Sequence, residues 1–290
     1  MRSLAVLLLL PAVALCQTAD EKKATLQFID SLRDPVTGAY AVTPPKEGEK
    51  PKPSLRAVNG AVNALKFFGG EVPDKEKVQK FVMGCYDEKT GAFAEPGEKP
   101  GVTITCIGVL AATAVGIDKA KYTKAMEYLG DNVKTFEDYR LGGAAIEAFG
   151  AEASGIDVPN WLRWAAIESN RVEPKAKPNA RDAASYAALC LRLGQEWSAG
   201  ERKAVLPVIL GGQMKDGGWG KPDAKTSDAE TTYRVMRALM LLKEKPKDPD
   251  GVAKFVASCR RKDGGYGVDA TAPSSMSGVY YAAKISEWLK

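Results

Sequence analysis

The chain contains no histidine in its 290 residues, and this absence excludes several classes of enzyme. Without an imidazole, a Ser-His-Asp triad, a Cys-His nucleophile pair and an HExxH zinc site are all ruled out. No CxxC motif occurs, and five cysteines are too few for a disulfide scaffold in a chain of this length. We therefore expect buried free thiols at Cys85, Cys106, Cys190 and Cys259.

Only the N-terminus carries a long apolar run, from Leu4 to Val13, and this run is too short to span a bilayer. Arg2 precedes it and Ala14-Leu15-Cys16 follows it, which is the pattern of a secretory signal peptide cleaved before Gln17. We expect an export leader over residues 1–16, a secreted or periplasmic location and no membrane insertion. A lipoprotein anchored through Cys16 is the disfavoured alternative, because Leu15 stands where that cleavage needs a small residue.

The chain also lacks a surface specialised for nucleic acid. Its 41 Lys and Arg residues are nearly balanced by 36 Asp and Glu residues, and the two signs are interspersed along the sequence. A nucleic-acid-binding domain concentrates basic residues in a patch or stripe. We therefore expect no nucleic-acid partner.

A small-small-aromatic sequence recurs along the chain, at Gly38-Ala39-Tyr40, Gly91-Ala92-Phe93, Gly217-Gly218-Trp219 and Gly264-Gly265-Tyr266. The spacings between successive copies are 53, 126 and 47 residues. Because 126 is three times 42, two degenerate units fit between the second and third copies, near Glu137 and Pro174. The pattern indicates six repeats of about 45 residues.

Each repeat predicts a pair of helices, since its apolar residues follow helical spacing and strand signals are absent. The first helices are predicted at Leu26–Leu32, Lys75–Gly84, Lys119–Leu129, Asn160–Asn170, Ala199–Leu210 and Gly251–Arg260. The second helices are rich in small residues, as in Val102–Val115 and Asp182–Leu193, and four of them end at Gly69, Gly116, Gly150 and Gly194. Stacked pairs that close into a ring predict one all-α domain over residues 20–290, an α/α toroid of six helix pairs (a twelve-helix barrel).

The segment Gln213–Trp219 has the form QxxxGxW, and Asp263–Gly267 is a relaxed copy of it. On these motifs the chain resembles the prenyltransferase β-subunit and squalene-cyclase repeat superfamily over essentially its whole mature length. In motif it is closest to protein geranylgeranyltransferase-type β subunits. The resemblance implies the same toroid, and we interpret the aromatic residues of the motif as structural staples between repeats.

The segment from Gly217 to Glu230 resembles the diphosphate-binding and zinc-binding series of those β subunits. The resemblance implies contacts to a diphosphate-like anion at Lys221 and Lys225 and a zinc aspartate at Asp228. The family cysteine becomes Glu230, and the family histidine falls at Ser277 or Gly278. Since neither the cysteine nor the histidine ligand is retained, we expect no metal and no cofactor. Zinc is expected only if the resemblance to the family outweighs the loss of these two ligands.

A structural interpretation of the same carboxylates is favoured over a metal role. Ser227-Asp228-Ala229-Glu230 fits a capping box in which Ser227 caps a helix, Glu230 bonds back and Asp228 complements the helix N-terminus. The protonating DxDD segment of the cyclases is missing. Its nearest equivalent, Asp248-Pro249-Asp250, is expected in a Pro-broken loop between repeats.

Five arginines are expected at or near the starts of the second helices, Arg56, Arg140, Arg181, Arg234 and Arg237. They either face a central cavity as an anion site or pair with Asp182, Glu147 or Asp138. Similarly, Tyr233, Tyr280 and Tyr281 either form the apolar wall of a ligand site or belong to the plain core. Our candidate ligand site consists of these three tyrosines with Lys221, Lys225 and Arg234. No catalytic residue is assigned.

Three functions remain open from the sequence. The first is an exported, non-catalytic toroid that binds an apolar or isoprenoid small molecule or a protein partner. The second is a prenyltransferase with an altered metal site, which export disfavours because isoprenoid diphosphates are cytosolic. The third is a carbohydrate-active α/α barrel with paired carboxylates drawn from Asp228, Glu230 and Glu147.

Overall fold

Helices alternate between two layers along the whole described part of the chain. The structure, a computed structural model, describes residues 17–171 and 179–290. Its first half contains α1 (Ala19–Ser31), α2 (Leu55–Phe68), α3 (Lys75–Gly84), α4 (Val102–Ala114), α5 (Lys124–Asn132) and α6 (Phe136–Phe149). Its second half contains α7 (Val158–Arg171), α8 (Ala180–Arg192), α9 (Ala199–Gly211), α10 (Ala229–Leu242), α11 (Pro249–Ser258) and α12 (Met276–Trp288).

The even-numbered helices form a closed inner ring. Each packs on the next one, and α12 packs on α2. Small residues allow this close packing: a Cβ atom on Gly60 of α2 would lie 3.1 Å from Cγ of Met276 in α12. The odd-numbered helices lie outside and pack on the inner ring. The twelve helices hold more than half of the chain, and only isolated β-bridges accompany them in the described residues, so the predicted all-α toroid is confirmed.

The Gly-aromatic turns join neighbouring repeats. Tyr40, Phe93, Trp219 and Tyr266 are all nearly inaccessible to solvent. Gly217 has a φ of 96°, and a Cβ atom there would overlap the carbonyl oxygen of Gly251 in α11. The Gln213 amide bridges the same two segments, since its Nε2 donates to the carbonyls of Gly217 and Asp248 at 2.8 Å each. The interpretation of these turns as structural staples is therefore confirmed.

The last repeat closes onto the first through buried and charged contacts. The hydroxyl of Thr25 in α1 is fully buried and donates to the Gly264 carbonyl at 2.9 Å. Arg260 Nη1 lies 2.9 Å from Glu21 Oε1, again joining the end of the chain to its start. These contacts make the ring continuous across the junction of the first and sixth repeats.

Side-chain caps define where the helices begin, and two of them correct a sequence prediction. Asp228, not Ser227, caps α10: its Oδ1 accepts from the Thr231 amide at 2.8 Å. Ser227 instead donates to Asp216 at 2.5 Å, so the predicted capping box is wrong by one residue. Asp248-Pro249-Asp250 is likewise no interhelical loop, because Asp248 caps α11 and Pro249 is its first residue. Proline is tolerated there because the first amide of a helix has no intrahelical partner.

Other local expectations agree with the structure. All four glycines predicted after inner helices, Gly69, Gly116, Gly150 and Gly194, have positive φ. The four cysteines outside the leader are buried and free, and burial raises the pKa of the Cys85 and Cys190 thiols to about 11. No described helix combines the length and apolar character needed to cross a bilayer. Residues 1–16 of the expected leader and Pro174 lie outside the described residues.

Candidate functional site

The inner ring encloses a cavity of about 800 Å³ to which all six inner helices contribute side chains. Its lining includes seven cations, Arg56, Arg140, Arg192, Arg234, Arg237, Lys221 and Lys284. Five carboxylates also line it, those of Glu137, Glu147, Asp228, Glu230 and Asp269. The lining therefore carries a net positive charge of two, which favours an anion over a cation inside the ring.

The first group of charged residues, which we call the Glu137 cluster, lies near the N-terminal ends of α6, α8 and α10. It consists of Glu137, Arg140, Arg181, Glu230 and Arg234. Arg234 Nη2 lies 2.6 Å from Glu230 Oε1 and 3.4 Å from Glu137 Oε1, so one guanidinium bridges two inner helices. Arg140 donates from Nε to Glu137 at 2.8 Å, and Arg181 Nη2 approaches Glu230 at 3.8 Å.

Both carboxyls of this cluster stay ionised in the folded protein. Burial raises the pKa of Glu137, but the hydrogen bond and charge of Arg140 outweigh it, and the net pKa is lowered. Burial also raises the pKa of Glu230. The charge and hydrogen bond of the Arg234 guanidinium outweigh burial there, so the net pKa of Glu230 is lowered as well. A general acid in glycoside hydrolysis needs a raised pKa, so neither carboxyl is suited to that role.

The second group, which we call the Glu147 cluster, consists of Glu147, Arg192 and Arg237 and lies further along the inner helices. Glu147 follows Glu137 in α6 by ten residues, which is about 15 Å along the helix axis. Arg192 Nε lies 3.2 Å from Glu147 Oε2, and Arg237 Nη1 lies 3.7 Å from the same oxygen. Two buried guanidinium groups thus share one carboxylate.

An aromatic wall stands beside the Glu147 cluster. Tyr233 of α10 packs against Tyr280 and Tyr281 of α12, with ring centroids 5.4 and 5.2 Å from its own. Its hydroxyl lies 2.9 Å from the Tyr280 hydroxyl and accepts from Arg237 Nη2 at 2.9 Å. Arg237 also stacks over the Trp288 ring at 5.0 Å from its centroid. The wall therefore offers ring surface together with an ordered chain of polar groups.

The charges around Tyr233 shift its ionisation. Burial raises the pKa of this phenol, but the guanidinium groups of Arg237 and Arg192 outweigh burial and lower it to about 8. The pKa of Tyr280 moves the other way, raised by burial and by the neighbouring Tyr233. A buried phenol that ionises near neutral pH marks a surplus of positive charge at this point of the cavity.

The structure brings most of the predicted site residues together. Lys221, Arg234, Tyr233, Tyr280 and Tyr281 all line the cavity. Lys225 is exposed on the same loop as Lys221 and lies outside the cavity lining. Of the three carboxylates predicted to pair with arginines, Glu147 does so. Asp182 and Asp138 instead bond to the N-cap residues of their own helices, Asn179 and Thr135.

The residues at the positions that the resemblance assigns to zinc have other contacts in the structure. Asp228 accepts from the Thr231 amide and hydroxyl, both at 2.8 Å, and Glu230 is engaged by Arg234. Ser277 lines the cavity but offers only a neutral hydroxyl. In the described residues no cluster of three or more acidic or cysteine side chains comes close enough to hold a metal ion. The donor chemistry does not fit the thiolate-activating zinc of the family.

Sequence reasoning missed Arg192, which occupies the last position of α8 and faces the cavity. A signal was present, because Arg192 follows Arg181 by eleven residues. Eleven residues are just over three full helical turns, so both arginines lie on one face of the helix. Arg192 lies at the C-terminal end of its helix, whereas the predicted arginines lie at the starts of the inner helices or within them.

Comparison with protein families agrees with this architecture. The family model of the prenyltransferase alpha-alpha toroid domain matches residues 26–172 and again residues 168–287. A search of curated proteins found no significant match. The two matched segments together span nearly all of the ring described above.

Proposed function

The chain belongs to the prenyltransferase alpha-alpha toroid domain family, and we propose that it is a non-catalytic member whose central cavity binds an amphipathic anion. The observation that carries the proposal is the composition of the cavity wall. Lys221 and Arg234 supply positive charge near the start of α10, and Tyr233, Tyr280 and Tyr281 supply an apolar surface beside it. A diphosphate attached to a prenyl chain has both properties.

Calorimetric titration with geranylgeranyl diphosphate tests the proposal. We expect saturable binding, with geranylgeraniol as the uncharged control that binds more weakly. The Lys221→Ala, Lys225→Ala double variant is expected to lose most of the affinity, and the single variants separate a lysine in the cavity wall from its exposed neighbour. Lys215→Ala, an exposed lysine on the same loop, is the matched control. Equal binding by parent and double variant, or none by the parent, refutes the site and favours a structural or protein-binding role.

Export is the second element of the proposal and rests on the sequence of residues 1–16. The side-chain amide of Gln17, the first residue after the expected cleavage, donates to the Tyr266 hydroxyl of the last repeat. Mass spectrometry of the protein recovered after expression in a secreting host is expected to show Gln17 at the N-terminus. An uncleaved chain, or a lipid on Cys16, would contradict this element.

A prenyltransferase with an altered metal site is the alternative that one observation favours. Lys221 and Asp228, which match the family's diphosphate and zinc positions, both line the cavity. Incubation with geranylgeranyl diphosphate and a cysteine-containing peptide, with and without zinc, distinguishes the two functions. We expect binding without product; a prenylated peptide would establish the enzyme.

A further inference from the structure

The Glu147 cluster has more positive charge than its own residues neutralise. Arg192 and Arg237 contribute two positive charges, and Glu147 contributes the one carboxylate between them. The Arg192 side chain is only 8% exposed, and Arg237 is 15% exposed. Leaving an uncompensated charge in a buried site is costly, and an anion is the species that removes this cost.

The hydrogen bonding of the two arginines is also incomplete. Nε of Arg192 and Nε of Arg237 are buried and have no hydrogen-bond partner among the described residues. The Glu147 carboxylate contacts both guanidinium groups, but neither contact has hydrogen-bond geometry. Buried polar groups in folded proteins are nearly always paired, so donors left over beside a cavity indicate a missing acceptor.

The groups around the two arginines indicate what kind of ligand would carry that acceptor. Arg237 donates to Tyr233, whose hydroxyl lies 2.9 Å from the Tyr280 hydroxyl, and either phenol can be the donor in that pair. When neutral Tyr233 is the donor, the Tyr280 proton is free to point into the cavity. Apolar side chains of α4 and α6 also line the cavity, namely Ile107, Leu110, Ala114, Ala144 and Ala148. A planar, singly charged head with an apolar body matches these features.

We propose that Arg192 and Arg237, with the Tyr280 hydroxyl, form a carboxylate subsite in the cavity for a small monocarboxylate that has an apolar body. This subsite deepens the proposed function by naming a ligand class for the same cavity. It is separate from the diphosphate position at Lys221, because the Glu147 cluster lies about 15 Å further along the inner helices than the Glu137 cluster. The single excess charge favours a carboxylate over a more highly charged phosphate.

Binding at this subsite is coupled to the protonation of Tyr233. The charged or titratable groups around its hydroxyl are Arg237 of its own helix, Arg192 of α8, Arg140 and Glu147 of α6, and Tyr280 and Tyr281 of α12. A tyrosinate at Tyr233 competes with a bound carboxylate for the same arginines. The carboxylate therefore prefers neutral Tyr233, and its affinity falls as the pH rises above about 8.

Titration with octanoate, using octanamide as the uncharged control, tests the subsite. We expect octanoate to bind and octanamide to bind much more weakly, with an octanoate affinity that falls by up to about tenfold per pH unit above the Tyr233 pKa. Arg192→Gln is expected to weaken octanoate binding at least about tenfold, because it removes a charged hydrogen-bond donor. Arg163→Gln, an exposed arginine of α7, is the matched control and is expected to change nothing.

Glu147→Gln keeps the proposal falsifiable if Arg192→Gln fails to fold. This variant removes the competing carboxylate and raises the excess charge, so it is expected to bind octanoate several-fold more tightly than the parent protein. No octanoate binding, equal binding by the parent and Arg192→Gln, or weaker binding by Glu147→Gln would each overturn the subsite. Geranylgeranyl diphosphate binding without octanoate binding leaves the proposed function standing and removes the subsite. Octanoate binding without geranylgeranyl diphosphate binding keeps the subsite and removes only the prenyl diphosphate as the ligand.

Discussion

The hydroxyls of Tyr233 and Tyr280 lie 2.9 Å apart where α10 meets α12, inside the ring. Arg237 donates to the Tyr233 oxygen, so the first of the two phenols to ionise is the one that already accepts from a guanidinium. This arrangement links the charge state of the cavity wall to pH. It also provides a spectroscopic signal from the site itself.

We predict that one tyrosine of the folded protein ionises at about pH 8, well below the ordinary pKa of a tyrosine, because Arg237 and Arg192 favour the tyrosinate of Tyr233. The measurement is ultraviolet tyrosinate absorbance against pH. Tyr233→Phe removes this first transition, and Arg192→Gln moves it to higher pH. Tyr40→Phe is the control, since burial raises the pKa of Tyr40 to about 12.

The same shift predicts how stability depends on pH. Tyr233 ionises more easily in the folded state than an unfolded tyrosine, whose pKa is about 10. Between about pH 8 and pH 10 the unfolded state binds more protons at this residue, so its contribution to the free energy of unfolding rises with pH. Buried thiols with a raised pKa, such as Cys85 and Cys190, act in the opposite direction over the same range, so the measurement is the difference between two proteins. In denaturant titrations from about pH 8 to pH 10, the free energy of unfolding of the parent protein should rise relative to that of Tyr233→Phe. Identical pH profiles would contradict it.

Gly217→Ala tests the close approach of neighbouring repeats. The substitution combines a positive φ with overlap against the Gly251 carbonyl, and we expect a loss of more than about 3 kcal/mol in the free energy of unfolding. Gly97→Ala is the matched control, because Gly97 has a similar φ of 84° and nothing within 4 Å of the added Cβ. It should cost about 1–2 kcal/mol. Equal losses in the two variants would show that the repeats do not approach this closely.

Thr25→Val tests the closure of the ring. The substitution keeps the shape of the side chain but deprives the Gly264 carbonyl of its buried donor, at a cost of about 1–3 kcal/mol in unfolding free energy. Thr43→Val, at an exposed position before α2, is expected to change stability by less than about 0.5 kcal/mol. A neutral Thr25→Val variant would argue against the contact between the first and sixth repeats.

Asp228→Ala separates a helix cap from a metal ligand. If Asp228 acts only as the cap of α10, Asp228→Ala loses about 1 kcal/mol in the free energy of unfolding, and the loss is the same with zinc and with a chelator. Asp228→Asn, which can still cap the helix, keeps most of the stability of the parent protein. We also predict no stoichiometric zinc in the purified protein by elemental analysis. One tightly bound zinc per chain, lost in Asp228→Ala, would contradict both expectations.

The fold follows from the sequence to a greater extent than the site does. The recurrence of Gly217-Gly218-Trp219 and its relatives determines the number of repeats, and helical spacing determines the order of helices. Helix boundaries are predicted less accurately than helix order. Helix α1 begins at Ala19 rather than near Leu26, because its first turns, which follow the Thr18 capping box, are polar and show little apolar periodicity. The Ser227 error has a related cause, since Ser227 and Asp228 are both good caps and a tertiary bond from Ser227 to Asp216 decides between them.

The pairing inside the cavity could not be derived in the same way. Arg234 contacts Glu137 across 97 positions of sequence, and Arg192 meets Arg237 only because α8 and α10 are neighbours in the inner ring. Residue type and helical register indicate that an arginine lies on an inner face. Which carboxylate it meets, and which donors stay unpaired, depends on the azimuth of each helix around the ring.

A crystal structure of the protein grown with geranylgeranyl diphosphate tests the central claim, that the ring binds an amphipathic anion in its cavity, most directly. We predict density for the ligand inside the ring, with its diphosphate within hydrogen-bonding distance of Lys221 and Arg234. Its prenyl chain is expected against Tyr233, Tyr280 and Tyr281. A ligand bound on the outer helices, or a cavity that holds only solvent at a concentration that saturates binding in solution, would contradict the claim.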